Sequence, residues 1–302
     1  MKIDGLHLLL TYECNLQCDH CFVWGSPWQS GTMTLQNIAD ILRQGRDLGT
    51  VEWIYFEGGE PFLHYAVLQS AVKRAADLGF QVGIVSNGYW ATDVDVAVTC
   101  LRPFAGLIQD LSISSDLYHW NEKLRQQTKN AVAAAEQLGI PVEYIRIAQP
   151  EAADAASSIG QIPAGESAVV FRGRAAEKLA ARVDHRPWEQ FTECPYEDLR
   201  EPGRVHVDPF GNVHICQGIS LGNLFQRPLR DIAESYDPDL FPVIGPLLKG
   251  GPAELVRYYD LSCNQKYADA CHLCCAARSQ MRDRFPDVLT PDQMYGVCNV
   301  AR

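Results

Sequence analysis

Two kinds of hydrophobic pattern alternate along the first half of the chain. Short runs rich in β-branched and aromatic residues, such as 51–56 and 80–85, predict buried strands. Between these two runs, hydrophobic residues recur every three or four positions from Val67 to Leu78, which predicts an amphipathic helix. Repeated alternation of strand and helix is typical of a parallel α/β sheet.

A glycine ends each predicted helix. Gly49, Gly79, Gly106 and Gly139 precede strand-like runs and lie about 30 residues apart, the length of one strand, one helix and two short loops. Glycine fits the left-handed conformation that follows a helix C-terminus. We predict about six strands, in a sheet that is open or curled toward a barrel. The predicted strands are 6–10, 51–56, 80–85, 107–113, 141–147 and 168–171.

The pattern changes in the C-terminal third. Residues 204–216 consist of two β runs around Pro-Phe-Gly-Asn, which predicts a hairpin. Short helices and a Gly-Gly-Pro break at 250–252 follow. We place a domain boundary near residue 185, which gives an α/β domain at 1–185 and a small cysteine-rich domain of a β-hairpin and helices at 186–302.

Composition narrows the function classes. The formal net charge is -11, and the sequence contains no basic run that would neutralise phosphates, so we expect no nucleic-acid partner. No apolar stretch approaches the roughly 20 residues of a membrane helix, so we expect no membrane partner and a cytoplasmic protein. Eleven cysteines in a reducing compartment indicate metal binding rather than disulfides.

Three cysteines follow the first predicted strand at a C-x3-C-x2-C spacing. Cys14, Cys18 and Cys21 can bind three corners of a cuboidal iron–sulfur cluster and leave the fourth iron without a protein ligand. A vacant coordination position is typical of a catalytic metal. The alternatives are a zinc site completed by His20 or a distant cysteine, and coincidence.

The second predicted strand ends in Glu57-Gly58-Gly59-Glu60-Pro61. Together with the cysteine spacing, this motif resembles the radical S-adenosylmethionine (radical SAM) superfamily over residues 6–182. The resemblance implies a partial (β/α)6 TIM-like barrel that binds a 4Fe-4S cluster and S-adenosylmethionine. It also implies an electron donor such as flavodoxin or ferredoxin, and reductive cleavage of S-adenosylmethionine to a 5′-deoxyadenosyl radical that abstracts a substrate hydrogen.

The resemblance also implies S-adenosylmethionine contacts at the strand ends. Simple strand-end capping is the alternative for the serines, and a structural ion pair is the alternative for Arg146. Arg172-Gly173-Arg174-Ala175 is similar to a Gly-Arg-Ala segment in relatives and gives supporting evidence. The expected contacts are Gly58, Gly59, Glu60, Pro61, Ser86, Asn87, Ser112, Ser114, Asp116 and Arg146.

The C-terminal cysteines resemble the twitch domain, the shorter form of the SPASM extension, which holds one auxiliary 4Fe-4S cluster. The matching residues are Cys194, Cys216, Cys271 and Cys274. A structural zinc at the same thiols is the alternative. Cys263 and Cys275 are candidate hydrogen donors for an epimerisation, with inert packing as their alternative.

We expect a small polar substrate. No helical module precedes the first predicted strand in this sequence, which favours a metabolite such as an amino sugar or aminocyclitol that is epimerised or dehydrogenated. A radical SAM maturase acting on a peptide or protein, and a non-catalytic zinc-binding interaction protein, are the alternatives. Residues that could face the substrate are Glu57, Asp110, Asp116, Asp208, Glu193, Tyr118, His119 and Trp120.

Overall fold

A computed structural model of the protein describes residues 1–119, 122–151 and 165–298. Trp120 therefore lies outside the described residues. The described strands, numbered β1 to β10 in chain order, are Ile3–Thr11, Trp53–Gly58, Gln81–Ser86, Asp110–Ser114, Val142–Ile145, Arg186–Pro187, Gly203–Val207, Asn212–Cys216, Ile219–Asn223 and Lys266–Tyr267.

Eight of these strands form one sheet in the order β5-β4-β3-β2-β1-β7-β8-β9. The first five strands run parallel, and β7 continues the parallel part on the other side of β1. The hairpin β7–β8 and the next strand, β9, pair antiparallel, as the turn around Gly211 predicted. In this register, His7 of β1 lies opposite both Tyr55 of β2 and His206 of β7.

The predicted sixth strand at 168–171 does not form. A single parallel bridge joins Ile147 to Ser167, just before it. At the end of this segment Phe171 N–H donates to Asp269 Oδ2 at 3.1 Å, and the N–H of the next residue, Arg172, donates to the Val170 carbonyl at 2.8 Å. Because these hydrogen bonds turn the chain and attach it to Asp269, the N-cap residue of a helix, the segment does not pair with a strand of the sheet.

The α-helices before Gly49, Gly79 and Gly139 end one or two residues before those glycines, as predicted, whereas the α-helix before Gly106 ends at Leu101 and a 3-10 helix, Arg102–Phe104, follows it. Gly49, Gly79, Gly106 and Gly139 have φ values of 82°, 88°, 76° and 65°, in the left-handed region. The described α-helices, numbered α1 to α8, are Leu35–Leu48, Tyr65–Asp77, Val94–Leu101, Glu122–Gln137, Arg174–Lys178, Leu229–Ser235, Ile244–Tyr259 and Ala270–Gln280. No α-helix among them is long and apolar enough to cross a membrane.

One hydrophobic core extends through both halves of the chain. Leu6 and Leu8 of β1 are fully buried in it beside Ile41 of α1, and Val207 of β7 and Leu255 of α7 belong to the same cluster. The regions 1–185 and 186–302 thus share a sheet and a core. Strands β1 and β7 are the place where they join.

A buried carboxylate fixes this junction. Asp208, which follows β7, is fully buried and accepts hydrogen bonds from Tyr12 Oη at 3.2 Å and from Asn212 Nδ2 at 2.9 Å. His214 Nε2 lies 3.0 Å from the same oxygen, Oδ2. The other oxygen accepts the backbone N–H groups of Phe210 and Asn212. The carboxylate thus connects the end of β1 with the β7–β8 hairpin.

We expect Asp208→Asn to lower the free energy of unfolding by about 2–4 kcal/mol, because an amide turns an NH2 group toward donors and leaves buried hydrogen bonds unmade. Urea denaturation measures this change. Asp283→Asn, at an exposed position, is the control and should shift stability by less than about 0.5 kcal/mol. Equal stability of the two variants would contradict the role of Asp208.

Candidate functional site

The carboxyl ends of the parallel strands surround a cavity of about 310 Å³. Such strand ends converge at one edge of a sheet, which is where ligands bind in parallel α/β folds. The cavity is lined by Cys14, Leu16, Cys18, His20, Cys21, Phe22, Val23, Gly25, Gly58, Gly59, Val85, Ser86, Asn87, Ser114, His119, Ile145, Ile147 and Arg172.

All three cysteines of the first motif reach this cavity, and backbone groups point at two of their sulfurs. Leu16 N–H donates to Cys14 Sγ at 3.4 Å, and Gly25 N–H donates to Cys21 Sγ at 3.2 Å. Asn87 Nδ2 adds a third donor, 3.8 Å from Cys14 Sγ. Hydrogen bonds of this kind stabilise sulfur that carries negative charge.

Burial disfavours the thiolate form of these cysteines on their own. It raises the pKa of Cys14 to about 12, and it also raises the pKa of Cys18. A bound metal reverses this preference, because a coordinating thiol is deprotonated outright. A buried thiol set with N–H donors aimed at its sulfurs therefore fits a metal centre.

The spacing of the sulfurs favours a cluster over a single zinc ion. Tetrahedral zinc with Zn–S bonds of about 2.3 Å holds thiolates about 3.8 Å apart. Among the described residues, two groups of three metal-ligating side chains have all their ligand atoms within 4.8 Å of one another, and neither contains a cysteine. In a cuboidal cluster each thiolate binds a different iron, so wider spacing is compatible with it.

Two glycines at the end of β2 allow close contact with the cysteine loop. Gly59 N–H donates to the Thr11 carbonyl at 2.7 Å, and a Cβ atom at Gly59 would lie 1.9 Å from the Glu13 carbonyl oxygen. Gly58 has a φ of 141°, and its Cβ would lie 2.4 Å from the Thr11 oxygen. Because larger side chains would push the loop away, Gly-Gly is required here for packing.

Glu60 connects two strand ends from beneath the cavity wall. It is fully buried and accepts hydrogen bonds from Phe62 N–H at 3.1 Å, Ser86 Oγ at 2.8 Å and Asn87 N–H at 2.8 Å. Burial raises its pKa to about 7. Pro61 follows at the first position of a short 3-10 helix. Glu60 and Pro61 thus position the residues that line the cavity.

The remaining expected contacts divide into two groups. Ser86, Asn87 and Ser114 line the cavity. Ser112 lies deeper on β4, where its Oγ donates to Asp110 Oδ2 at 2.8 Å. Arg146 lies over the Tyr144 ring at 4.6 Å and, although described, is not among the lining residues.

Asp116 contacts a histidine that lines the cavity. Its Oδ1 lies 2.8 Å from Nδ1 of His119, whose ring lines the cavity, and its Oδ2 lies 3.8 Å from His20 Nε2. His20 stacks on Tyr118 with 4.5 Å between ring centroids, and burial lowers the pKa of His20 to about 4. The sequence predicts His20 only as a ligand of the alternative zinc site, and its position in a loop gives no signal that it lines a cavity.

Arg174 holds the cysteine loop in place. This residue is 3% exposed, and its Nη1 and Nη2 donate to the carbonyls of Cys18 at 2.7 Å and Gly25 at 2.8 Å. Its backbone N–H donates to the Cys21 carbonyl at 3.0 Å. Three hydrogen bonds from one residue thus fix the loop that carries the three cysteines.

The four C-terminal cysteines of the predicted auxiliary site meet at a second, smaller cavity, lined by Cys194, Cys216, Cys271 and Cys274 among others. Cys271 and Cys274 lie in the first turns of α8, where the helix dipole favours negative charge. Asp269 caps that helix by accepting the His272 N–H at 2.7 Å. Burial raises the pKa of Cys194 and Cys271, and it raises that of Cys274 to about 12, as it does in the first set.

Arg172 belongs to the walls of both cavities. Its Nη1 donates to Glu197 Oε1 at 2.7 Å and lies 3.9 Å from Cys216 Sγ, and its guanidinium lies 5.1 Å from the centre of the Phe22 ring. Arg278, 2% exposed, also lines the second cavity. These two cations suit a site that gathers four thiolates.

The two candidate hydrogen-donor cysteines lie elsewhere. Cys263 is partly buried against the main core, and Cys275 follows Cys274 in α8. Of the described cysteines, Cys14, Cys18 and Cys21 are those that line the first cavity.

A family model described as the Radical SAM superfamily matches residues 8–150. This match confirms the resemblance inferred from the cysteine spacing and the Gly-Gly-Glu-Pro motif. It begins within β1, includes β2 to β5 and ends before the C-terminal cysteines.

Curated relatives match over part of their length. A Bacillus subtilis protein named for peptide biosynthesis, YydG, is 30% identical over 111 residues, which cover 36% of this chain and 35% of YydG. An S-adenosylmethionine-dependent nucleotide dehydratase of Fibrobacter sp. is 26% identical over 151 residues, which cover 47% of this chain and 43% of the dehydratase. The chain thus spans less than half the length of either relative.

Two solved structures support the fold. BtrN in complex with AdoMet and 2-DOIA has a TM-score of 0.50 and 16% identity, over 77% of this chain and 82% of BtrN. The protein anSMEcpe with bound AdoMet has a TM-score of 0.50 and 12% identity, over 94% of this chain and 93% of that chain. These likenesses confirm the predicted α/β class, although the sheet of this chain is open rather than closed.

We expect Arg174→Gln to weaken iron retention at the first site, because the loop loses the guanidinium hydrogen bonds to the carbonyls of Cys18 and Gly25. The measurement is the rate at which a chelator removes iron from anaerobically reconstituted protein, and we expect roughly a tenfold increase, equivalent to about 1.4 kcal/mol. Lys178→Gln on the same helix is the control, since the Lys178 side chain is half exposed. An unchanged rate of iron loss in Arg174→Gln would contradict the role of Arg174 in holding the cysteine loop.

Proposed function

We propose that this chain, which matches the Radical SAM superfamily model over residues 8–150, is a radical SAM enzyme that dehydrogenates a small polar metabolite such as an amino sugar or aminocyclitol. The observation that carries the proposal is the convergence of Cys14, Cys18 and Cys21 on a cavity that also exposes polar groups from the ends of β3 and β4. These sulfurs would hold a 4Fe-4S cluster, and the cavity would hold S-adenosylmethionine next to it.

When bound, the first cluster and S-adenosylmethionine supply a 5′-deoxyadenosyl radical, and an auxiliary cluster held by Cys194, Cys216, Cys271 and Cys274 accepts an electron. The chain's own residues position these groups. The Gly58 and Gly59 backbone, Asn87 and Ser114 offer polar contacts on the cavity wall. Val85, Ile145 and Ile147 supply apolar walls that limit access of water to the radical.

The position of the cysteines supports dehydrogenation over epimerisation. Epimerisation needs a hydrogen donor on the face opposite the radical, and a thiol supplies it most readily. Neither Cys263 nor Cys275 is among the described residues that line the cavity. Arg172, in contrast, lines this cavity and the second one, so the substrate would lie close to an electron acceptor.

His119 is suited to accept the substrate proton. Its Nδ1 lies 2.8 Å from Asp116 Oδ1, and this contact would hold the proton on Nδ1 and leave Nε2 as the acceptor nitrogen. An alcohol that becomes a ketone loses a hydrogen atom, a proton and an electron. His119 would take the proton; the hydrogen atom would be removed by the chemistry that the first cluster and S-adenosylmethionine supply when bound, and the electron would be accepted by a cluster held by Cys194, Cys216, Cys271 and Cys274.

The first test is cleavage of S-adenosylmethionine. Reconstituted, dithionite-reduced enzyme should form 5′-deoxyadenosine, measured by liquid chromatography and mass spectrometry. The triple variant Cys14→Ala/Cys18→Ala/Cys21→Ala should form none, while it retains about four irons per chain at the second cysteine set. Equal 5′-deoxyadenosine from both proteins would overturn the assignment of the first site.

The second test identifies the reaction class. A panel of aminocyclitols and amino sugars is incubated with enzyme in D2O. Dehydrogenation gives a product about 2 mass units lighter, whereas epimerisation gives one about 1 unit heavier because deuterium enters the substrate. A deuterated product about 1 mass unit heavier than the substrate would overturn the dehydrogenase proposal. Turnover of peptides without turnover of any metabolite would instead support a peptide maturase, which the likeness to YydG makes the second candidate.

With a turned-over substrate, we expect His119→Gln to reduce product formation by about 100-fold or more, because a positioned base is lost. Substrate-free cleavage of S-adenosylmethionine should continue, since it needs no proton acceptor. His185→Gln is the control, because the His185 ring contacts the Ala180 carbonyl instead of the cavity. Parallel loss of both activities in His119→Gln would contradict a proton-accepting role.

A further inference from the structure

A cluster of two histidines and a glutamate lies beside the first cavity and has no place in the proposed reaction. His7 on β1, Glu57 on β2 and His206 on β7 come from three adjacent strands. His7 and His206 lie opposite each other in the β1–β7 register, and Glu57 lies two residues beyond Tyr55, the β2 partner of His7. Alternation along a strand therefore places all three side chains on one face of the sheet.

The spacing of the ligand atoms fits one metal ion. Glu57 Oε2 lies 3.3 Å from His7 Nδ1, and Glu57 Oε1 lies 3.0 Å from His206 Nε2. All three residues have a ligand atom within 4.8 Å of the other two. With metal–ligand bonds of about 2.1 Å, neighbouring ligand atoms are separated by about 3.0–3.4 Å in octahedral or tetrahedral coordination.

One oxygen of the carboxylate lacks a partner that protein groups would normally provide. Glu57 Oε1 is buried, and His206 Nε2 approaches it to 3.0 Å outside good hydrogen-bond geometry. A buried acceptor without a partner costs free energy. The 3.0 Å separation makes this pair an ion pair when the imidazole is protonated, and it also places both ligand atoms where one cation could bind them.

Aromatic neighbours fix the two imidazole rings. The His7 ring stacks on Tyr55 with 4.7 Å between centroids and 17° between planes. Phe22 meets the His206 ring edge-on at 5.7 Å, and Phe22 also lines the first cavity. The three cluster side chains are 17%, 14% and 13% exposed, so the site is neither sealed nor open to bulk solvent.

From this geometry we propose that His7, Glu57 and His206 bind a divalent first-row transition metal ion. Two imidazoles and one carboxylate are suited to Fe²⁺, Co²⁺ or Zn²⁺, and three protein ligands leave coordination positions for water or a substrate oxygen. The inference does not depend on the proposed dehydrogenation, because it concerns other residues and another ligand. In the similarly compact group of His20, Asp116 and His119, the two histidines line the first cavity.

Co²⁺ is the probe for this site, because elemental analysis distinguishes it from the iron of the clusters. Full-length, anaerobically reconstituted enzyme is dialysed against Co²⁺ and bound cobalt is counted by mass spectrometry. The expected result is about one Co²⁺ per chain, with only nitrogen and oxygen ligands in the cobalt K-edge absorption spectrum. No cobalt, or cobalt bound by sulfur, would overturn the proposal, and this readout needs no variant to fold.

Glu57→Gln and His206→Gln should each weaken Co²⁺ binding by about 100-fold, the upper end of the loss seen when a ligand's supporting residue is changed. Iron content and circular dichroism equal to those of the unmodified enzyme establish that each variant is folded. If either variant does not fold, His7→Gln is tested in its place. His185→Gln is the control, since His185 pairs with His272 at 5.7 Å between ring centroids, and neither belongs to a compact group of three ligands. Full Co²⁺ binding by the folded variants would mean that the cluster is a hydrogen-bonded network only.

Discussion

Buried cysteine sulfurs can be negatively charged only when a cation is bound to them, and the residues around both cysteine sets are arranged to meet this requirement. Burial makes the thiolate forms of Cys14 and Cys18 unfavourable on their own, yet the chain places these sulfurs next to backbone and amide N–H donors. The Gly58-Gly59 pair and Arg174 hold the loop against the strand ends. The same solution occurs at the second cysteine set, where a capped helix and two arginines surround four thiols.

The two cysteine sites share structure as well as chemistry. Strand β7 pairs with β1, so the sheet that carries the first site continues into the hairpin that carries Cys216. Arg172 touches both cavities and contacts Phe22 between them. In the proposed reaction, an electron that moves between the two sites would pass near Arg172.

Much of this arrangement could be predicted from the sequence because its signals are local. The four glycines at helix ends reflect a backbone conformation that glycine tolerates best, and the cysteine spacing reflects the geometry of one loop. Long-range features left no such pattern. The parallel pairing of β1 with β7 joins residues about 200 positions apart, and the failed strand at 168–171 has an ordinary β-rich composition.

Single polar residues were the hardest to assign. Arg146 follows a strand end, as a cavity residue would, but its guanidinium turns to Tyr144. His20 lies in a loop and His119 in a short 3-10 helix, where the sequence alone gives no side-chain orientation, and His7 lies within an apolar run. Their surroundings depend on which strands become neighbours, and that is decided by the packing of the entire sheet.

The difference in sequence span between the two cysteine sets has a consequence for maturation. Cys14, Cys18 and Cys21 lie within eight residues, so this loop can capture iron while most of the polypeptide is still unfolded. Cys194, Cys216, Cys271 and Cys274 meet only after a hairpin and a late helix have docked. Iron at the second set would fasten two distant segments, so its loss should loosen the tertiary structure as well as remove a redox group.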